Sequence, residues 1–262
     1  MSDVALFVHS TGVGPFMWNK LLVDLPAGIA PLTPTNRGYS LPDLIPRGQA
    51  VSVADEVAHL KAQIPAGTTG VHLGGHSYGG LVALTLALDP DVPLKSIWLY
   101  EPVLFGALRP LVDSLPADAA QQVREFTEQP DRFLNASTGG QDAWLENFVD
   151  YWNQPGMWAS MSDKAKDMAR LVGWKMFQEV RMVFEEPLPF DAYRLQVPMT
   201  LVRGERTQPP AREMVRQLAA VNPHARVVEL QGQGHMGVVG APDAVRPTLQ
   251  AHWAAQGLTP AA

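Results

Sequence analysis

The chain is predicted to fold as an α/β protein: a mostly parallel, doubly wound sheet with a block of helices inserted between two of its strands. Three observations carry this. Short, fully apolar runs alternate with stretches whose apolar residues recur at helical spacing, the rhythm of a parallel sheet covered on both faces. That rhythm is suspended once, between about residues 104 and 195, where helical patterns alone occur. The third is Gly75-His76-Ser77-Tyr78-Gly79, which spells G-x-S-x-G between an apolar run and a helical one. A serine on such a sharp turn stands clear of both elements.

In chain order, residues 4–8 are all apolar, the form of a buried parallel strand. Residues 19–25 read as a brief helix and 29–33 as a second strand. Val53, Val57, Leu60 and Ile64 fall at helical spacing and predict a helix over 53–64. A strand at 71–73 leads into the serine turn, and a helix at 81–88 leaves it. Strands follow at 97–100 and 199–202, a helix at 212–220, a last strand at 226–230 and a last helix at 244–253. The tail, 256–262, reads as loosely ordered. The interrupting segment carries helical patterns over 117–128, 142–152 and 163–184. In the third, Met168, Val172, Met176 and Val180 recur four apart and are expected on one face. The domain division is therefore core over 1–103, helical cap over 104–195, and core again over 196–262. Four of the seven tryptophans, Trp144, Trp152, Trp158 and Trp174, fall in the insert. Most are expected in its own small core, and the rest face the cleft, where they favour an apolar part of a substrate.

Composition narrows the function. The chain has 262 residues and a formal charge of −6 with no basic run, which argues against nucleic acid and anionic membrane surfaces. It has no cysteine, so disulfides, thiolate metal sites and cysteine nucleophiles are excluded. No apolar stretch approaches the roughly 20 residues that span a bilayer. Met1-Ser2-Asp3 lacks the basic region of a signal peptide. The expectation is a cytoplasmic protein acting on a small molecule, without cofactor or metal; a homo-oligomer stays open.

A neutral serine hydroxyl needs a histidine to take its proton, and that histidine needs a carboxylate to orient it. Among seven histidines, His235 lies in Gly232-Gln233-Gly234-His235-Met236-Gly237, a glycine-rich loop after the last strand. Loops at the carboxyl ends of parallel strands are where such sheets build their sites. His59, His224 and His252 fall on helices or turns and are expected at the surface. His72 belongs to the strand before Ser77, and His76 is a variable position of the turn. No histidine pair shows metal-ligand spacing near a carboxylate.

Taken together, these motifs resemble those of a lid-bearing α/β-hydrolase over essentially the whole length. His9-Ser10-Thr11-Gly12 with Trp18 resembles the family's HGx segment, and Asn36-Arg37-Gly38-Tyr39-Ser40 its D-x-R-G-x-G-x-S-type loop. The Ser77 elbow and the His235 loop complete the pattern. The chain enters directly at the family's third strand, so the first two edge strands are expected to be missing. The resemblance implies an oxyanion hole made by the backbone N–H groups of Thr11 and Tyr78, with Ser10 where the family usually has glycine. The family's usual acid follows the strand at 199–202, but Thr207 occupies that place. A second location used in the family is the end of the preceding core strand, where this chain has Glu101. Glu101 closes an apolar strand, a costly place for an unpaired charge, and is the expected acid; Glu205, two positions early, is the reserve. Dehalogenases and epoxide hydrolases of the family carry aspartate at the elbow, so Ser77 argues against both. The expected activity is that of a carboxylesterase-like serine hydrolase, cleaving a small ester, thioester or lactone through a Ser77-His235-Glu101 triad and an acyl-enzyme. The alternatives are a carbon–carbon hydrolase or lyase on the same fold, and a ligand-binding or degenerate member with little turnover.

Overall fold

The computed structural model describes residues 3–129 and 132–259; the first two residues and the end of the tail, on which the sequence also bears, lie outside them. Six strands form one sheet: β1 (Asp3–Val8), β2 (Ile29–Leu32), β3 (Val71–His76), β4 (Leu94–Tyr100), β5 (Met199–Gly204) and β6 (Arg226–Leu230). Their spatial order is β2-β1-β3-β4-β5-β6, and every pairing is parallel. The order reverses at β1, as in a doubly wound sheet. In the central strands β1 and β4 the residues alternate between two buried layers, which is why both phases are apolar. Val4, Leu6, Val8, Ile97 and Leu99 join one layer; Ala5, Phe7, Trp98 and Tyr100 join the other.

Eleven helices are present among the described residues: α1 (Val53–Lys61), α2 (Tyr78–Leu86), α3 (Phe105–Leu108), α4 (Ala117–Glu128), α5 (Asp142–Trp152), α6 (Met157–Ser160), α7 (Asp163–Leu171), α8 (Gly173–Glu185), α9 (Pro209–Val221), α10 (Gly237–Gly240) and α11 (Pro242–Ala254). Ser52 opens α1 with a capping box: its hydroxyl accepts from Asp55 N, and the Asp55 carboxylate accepts from Ser52 N. Helices α1, α2 and α9 cover one face and α11 the other. Helices α3 to α8 all lie between β4 and β5, a segment with no strand among the described residues. They rest on the core through contacts of α3 and α4 with α9, and of α8 with α2.

Two sequence expectations change. Residues 19–25 form turns instead of a helix, after a short 3-10 turn at Pro15–Trp18. Leu21 is the one fully buried residue of that segment, with Leu22 and Leu25 partly buried against the core, and so short a segment before Pro26 does not offset the cost of helix nucleation. The helix expected over 163–184 is two helices, α7 and α8, broken at Val172. At the break Gly173 lies against Gly140: a Cβ on Gly173 would stand 2.4 Å from the Gly140 carbonyl oxygen. The shared face breaks there too. Val172, Met176 and Val180 are buried, while Met168 is 53% exposed.

Candidate active site

Strand β3 delivers Ser77 to the carboxyl edge of the sheet, and α2 starts at the next residue. Ser77 has φ 58°, and Glu101, at the end of β4, has φ 43°. Among the described residues these two are the only non-glycine residues with positive φ. Such strain persists only where surroundings enforce it, and it gathers at functional sites. The flanking glycines are required by backbone contact. A Cβ on Gly75 would lie 2.5 Å from the Gly79 carbonyl oxygen, and one on Gly79 only 2.3 Å from that of Val8.

The loop after β6 brings His235 over Ser77. Ser77 Oγ lies 2.9 Å from His235 Nε2, and His235 Nδ1 lies 2.7 Å from Glu101 Oε2. With Nδ1–H donating to the carboxylate, Nε2 is left as the acceptor of the serine proton. All three side chains are buried. Glu101 is fully engaged. Its Oε1 accepts from Gly204 N at 2.7 Å, and Oε2 also accepts from the Thr207 hydroxyl. Thr207, at the family's usual acid position, thus holds the carboxylate that arrives from β4. Glu205 lies apart and exposed, accepting from Gly232 N at 2.8 Å. The structure brings Ser77, His235 and Glu101 together and leaves the reserve acid outside.

The loop after β1 carries Thr11. Neither Thr11 N–H nor Tyr78 N–H has a hydrogen-bond acceptor among the described residues. Two other connections shape this loop. His9 Nε2 accepts from Asn36 N at 3.0 Å while Nδ1–H donates to the Ser10 carbonyl at 3.0 Å. Burial pushes the His9 pKa down to about 4, so the ring is neutral, as that bonding requires. Gly12 N donates to the Tyr39 hydroxyl at 2.7 Å, and that hydroxyl donates to Glu179 Oε2 at 2.7 Å. Glu179 Oε1 in turn binds Lys175 Nζ at 2.9 Å, and Lys175 binds Glu56 at 2.6 Å. Lys175, Glu56 and Glu179 are all buried. Burial raises the Glu179 pKa, with Lys175 opposing. Burial lowers that of Lys175, but Glu179 and Glu56 outweigh it and hold it above its usual value.

Several residues at the site carry little sequence signal. The Trp152 ring, at the end of α5, stacks on His235 with centroids 3.9 Å apart and planes at 30°. His76 Nε2 donates to the His235 carbonyl at 2.8 Å, and burial holds its pKa well below the usual value. Lys175 and Glu179 could have been noticed as an i, i+4 pair set among Met176 and Val180 on a helix's apolar face. His252, expected at the surface, is buried beside Ser96 Oγ and Thr200 Oγ1, with its pKa lowered to about 3 by burial. Its position on α11 faces the sheet because Leu249 and Trp253 beside it do.

Among the described residues, no cluster of three or more His, Cys, Asp or Glu side chains could hold a metal ion. No helix of those residues is long and apolar enough to cross a membrane.

A parallel sheet with a serine elbow after β3 and a histidine loop after β6 defines a recognisable class of hydrolase scaffold. Residues 5–248 match the model of the alpha/beta hydrolase family, and the chain belongs to that family. Its fold is shared by many solved structures. A hydrolase from Pseudomonas aeruginosa PA01 is 19% identical with a TM-score of 0.69, covering 96% of this chain and 89% of its own. The enol-lactonase from Burkholderia xenovorans LB400 is 16% identical with a TM-score of 0.70, covering 97% and 92%. A carboxylesterase structure from Nitrososphaera gargenis is 15% identical with a TM-score of 0.69, covering 97% and 90%. No curated protein matches the chain in sequence.

Proposed function

We propose that the protein is a serine hydrolase that cleaves a small carboxylic ester, thioester or lactone with an apolar part. The observation that carries this reading is the hydrogen-bonded relay from Ser77 Oγ through His235 to the Glu101 carboxylate. Ser77 Oγ attacks the carbonyl carbon as His235 Nε2 takes its proton, and Glu101 stabilises the imidazolium that forms. The carbonyl oxygen becomes an oxyanion and is met by Thr11 N–H and Tyr78 N–H, each worth on the order of 3 kcal/mol when removed from comparable sites. The intermediate collapses, the leaving group takes the proton from His235, and an acyl-serine remains. Water then attacks the acyl carbon as His235 takes its proton, the bond to Ser77 Oγ breaks, and His235 returns the proton to that oxygen as the acid leaves. Helices α3 to α8 act as a cap: Phe148 and Trp152 of α5 border the space above Ser77.

The test is covalent labelling with a fluorophosphonate, read by intact mass, beside turnover of p-nitrophenyl esters. One adduct on the wild-type chain is expected, and none on Ser77→Ala or His235→Ala. A wild-type chain that takes no adduct and turns over no ester would be a binding protein on a hydrolase scaffold.

A further inference from the structure

Two cavities of different character meet at Ser77. The inner one is narrow and is walled by Phe105, Phe126, Phe133, Val183 and Phe184. The outer one is much larger, about 700 Å³, and is lined by Phe16 and five methionines: Met157, Met161, Met168, Met176 and Met236. Thr11, Ser77, Phe148 and Trp152 border both. Two other site groups separate them: Tyr78 borders the inner cavity alone, and His235 the outer alone.

That separation orients a substrate. When the tetrahedral intermediate collapses, the bond from the acyl carbon to the leaving oxygen breaks. That oxygen keeps the electron pair and takes the proton from His235 Nε2. The leaving group must therefore lie on the side that His235 faces, the outer cavity. The acyl group, left bonded to Ser77 Oγ, lies on the Tyr78 side.

The walls then set the size of each part. The inner wall is a locked aromatic cluster. Phe105 and Phe184 stack at 4.3 Å, and Phe126 meets both edge-on. All are buried, so widening the pocket means repacking a close-packed core. No lysine or arginine lines this wall to meet an anionic acyl group. Methionines, by contrast, are flexible and polarisable and adapt to varied apolar shapes. Met168 and Phe16 extend this lining to the exposed surface, at 53% and 63% exposure.

Resting on the hydrolase reading above, we infer that the substrates are esters of short, compact, uncharged acids with long or bulky apolar alcohols. A pair of isomers tests this without changing formula: octyl butyrate, with the long chain in the alcohol, and butyl octanoate, with it in the acid. The expected result is a kcat/KM roughly tenfold or more higher for octyl butyrate. Phe133→Ala and, as a milder change, Val183→Ala enlarge the inner pocket and should move the ratio toward butyl octanoate. Equal rates, or a preference for butyl octanoate in the wild type, would overturn the assignment. So would a ratio unmoved in both variants. Labelling of Ser77 with neither isomer cleaved overturns the substrate class and leaves the serine hydrolase standing; no labelling at all removes both.

Discussion

Replacing Glu101 by Gln should silence the site without unfolding the chain, and the geometry says why. The carboxylate accepts three hydrogen bonds: Gly204 N–H on Oε1, and both His235 and the Thr207 hydroxyl on Oε2. A glutamine amide must turn its NH₂ toward one side or the other. Gly204 N–H is a fixed backbone donor, so an NH₂ there would meet a donor head-on inside a buried site, at a cost of about 1–3 kcal/mol. Thr207 can rotate its hydroxyl and His235 can change tautomer, so the NH₂ settles on their side. His235 Nδ1 then accepts, and its proton moves to Nε2, the nitrogen facing Ser77 at 2.9 Å. A protonated Nε2 cannot take the serine proton, and the expected loss in kcat is about 10³- to 10⁴-fold. The assay is p-nitrophenyl ester turnover with circular dichroism as the folding control. Glu205→Gln should stay near wild type, since that carboxylate binds only the backbone of the histidine loop. Thr207 sits one hydrogen bond from the same Glu101 oxygen, so Thr207→Asp in the Glu101→Gln background should recover part of the activity. A Glu101→Gln enzyme within about tenfold of wild type would refute the tautomer argument.

Three further outcomes are expected. Tyr39→Phe removes the hydroxyl between Gly12 N–H and Glu179 and should lower kcat about tenfold, a loss of about 1.4 kcal/mol, with KM little changed; an unchanged kcat would show that the loop holds itself. Gly79→Ala forces a Cβ onto the Val8 and His9 carbonyl oxygens and should destabilise by about 3 kcal/mol or abolish soluble expression; a Tm within a few degrees of wild type would contradict the close approach. His9 and His252 have pKa values lowered by burial to about 4 and about 3, so between their ordinary range and those values the unfolded chain binds protons that the folded one refuses. Stability should thus be full above about pH 6.5 and fall below it by about 1.4 kcal/mol per pH unit for each ring; a Tm that stays flat from about pH 7 to about pH 5 would exclude this.

What the sequence made legible was whatever obeys a local rule. Helices α4 and α5 end where their apolar periodicity ends, and β6 spans the expected residues. Ser77 and His235 were singled out because each sits at a strand's carboxyl end among glycines, and the structure brings their side chains within 2.9 Å. Glu101 was expected from the resemblance, which offers the end of the preceding core strand as a second acid position once Thr207 stands at the usual one. That Thr207 would remain in contact with the carboxylate that replaces it was not legible, since it depends on β4 and β5 ending side by side. The α7–α8 break was hidden for a similar reason: the glycine that allows it answers to Gly140, a distant residue in the chain. Trp152 read as one of several tryptophans in an insert, and nothing in its neighbours points to His235.

The same dependence on distant partners accounts for the buried charges behind the site. A buried ion pair contributes little net stability, because desolvation consumes most of the attraction. The Glu56–Lys175–Glu179 cluster is therefore poorly explained as a stabiliser. It does restrict geometry: one ammonium bridges a carboxylate on α1 and another on α8, and Glu179 takes the Tyr39 hydroxyl that holds Gly12. Helix α8 lies between β4 and β5 in the chain, among the inserted helices. It supplies a strut to the loop that carries Thr11. On the other side Glu101, held by Gly204 and Thr207, is the corresponding strut for His235. Each half of the site thus leans on a fully buried carboxylate whose oxygens are all occupied, and a carboxylate so held has no freedom to move when charge develops beside it. That is the condition for electrostatic preorganisation.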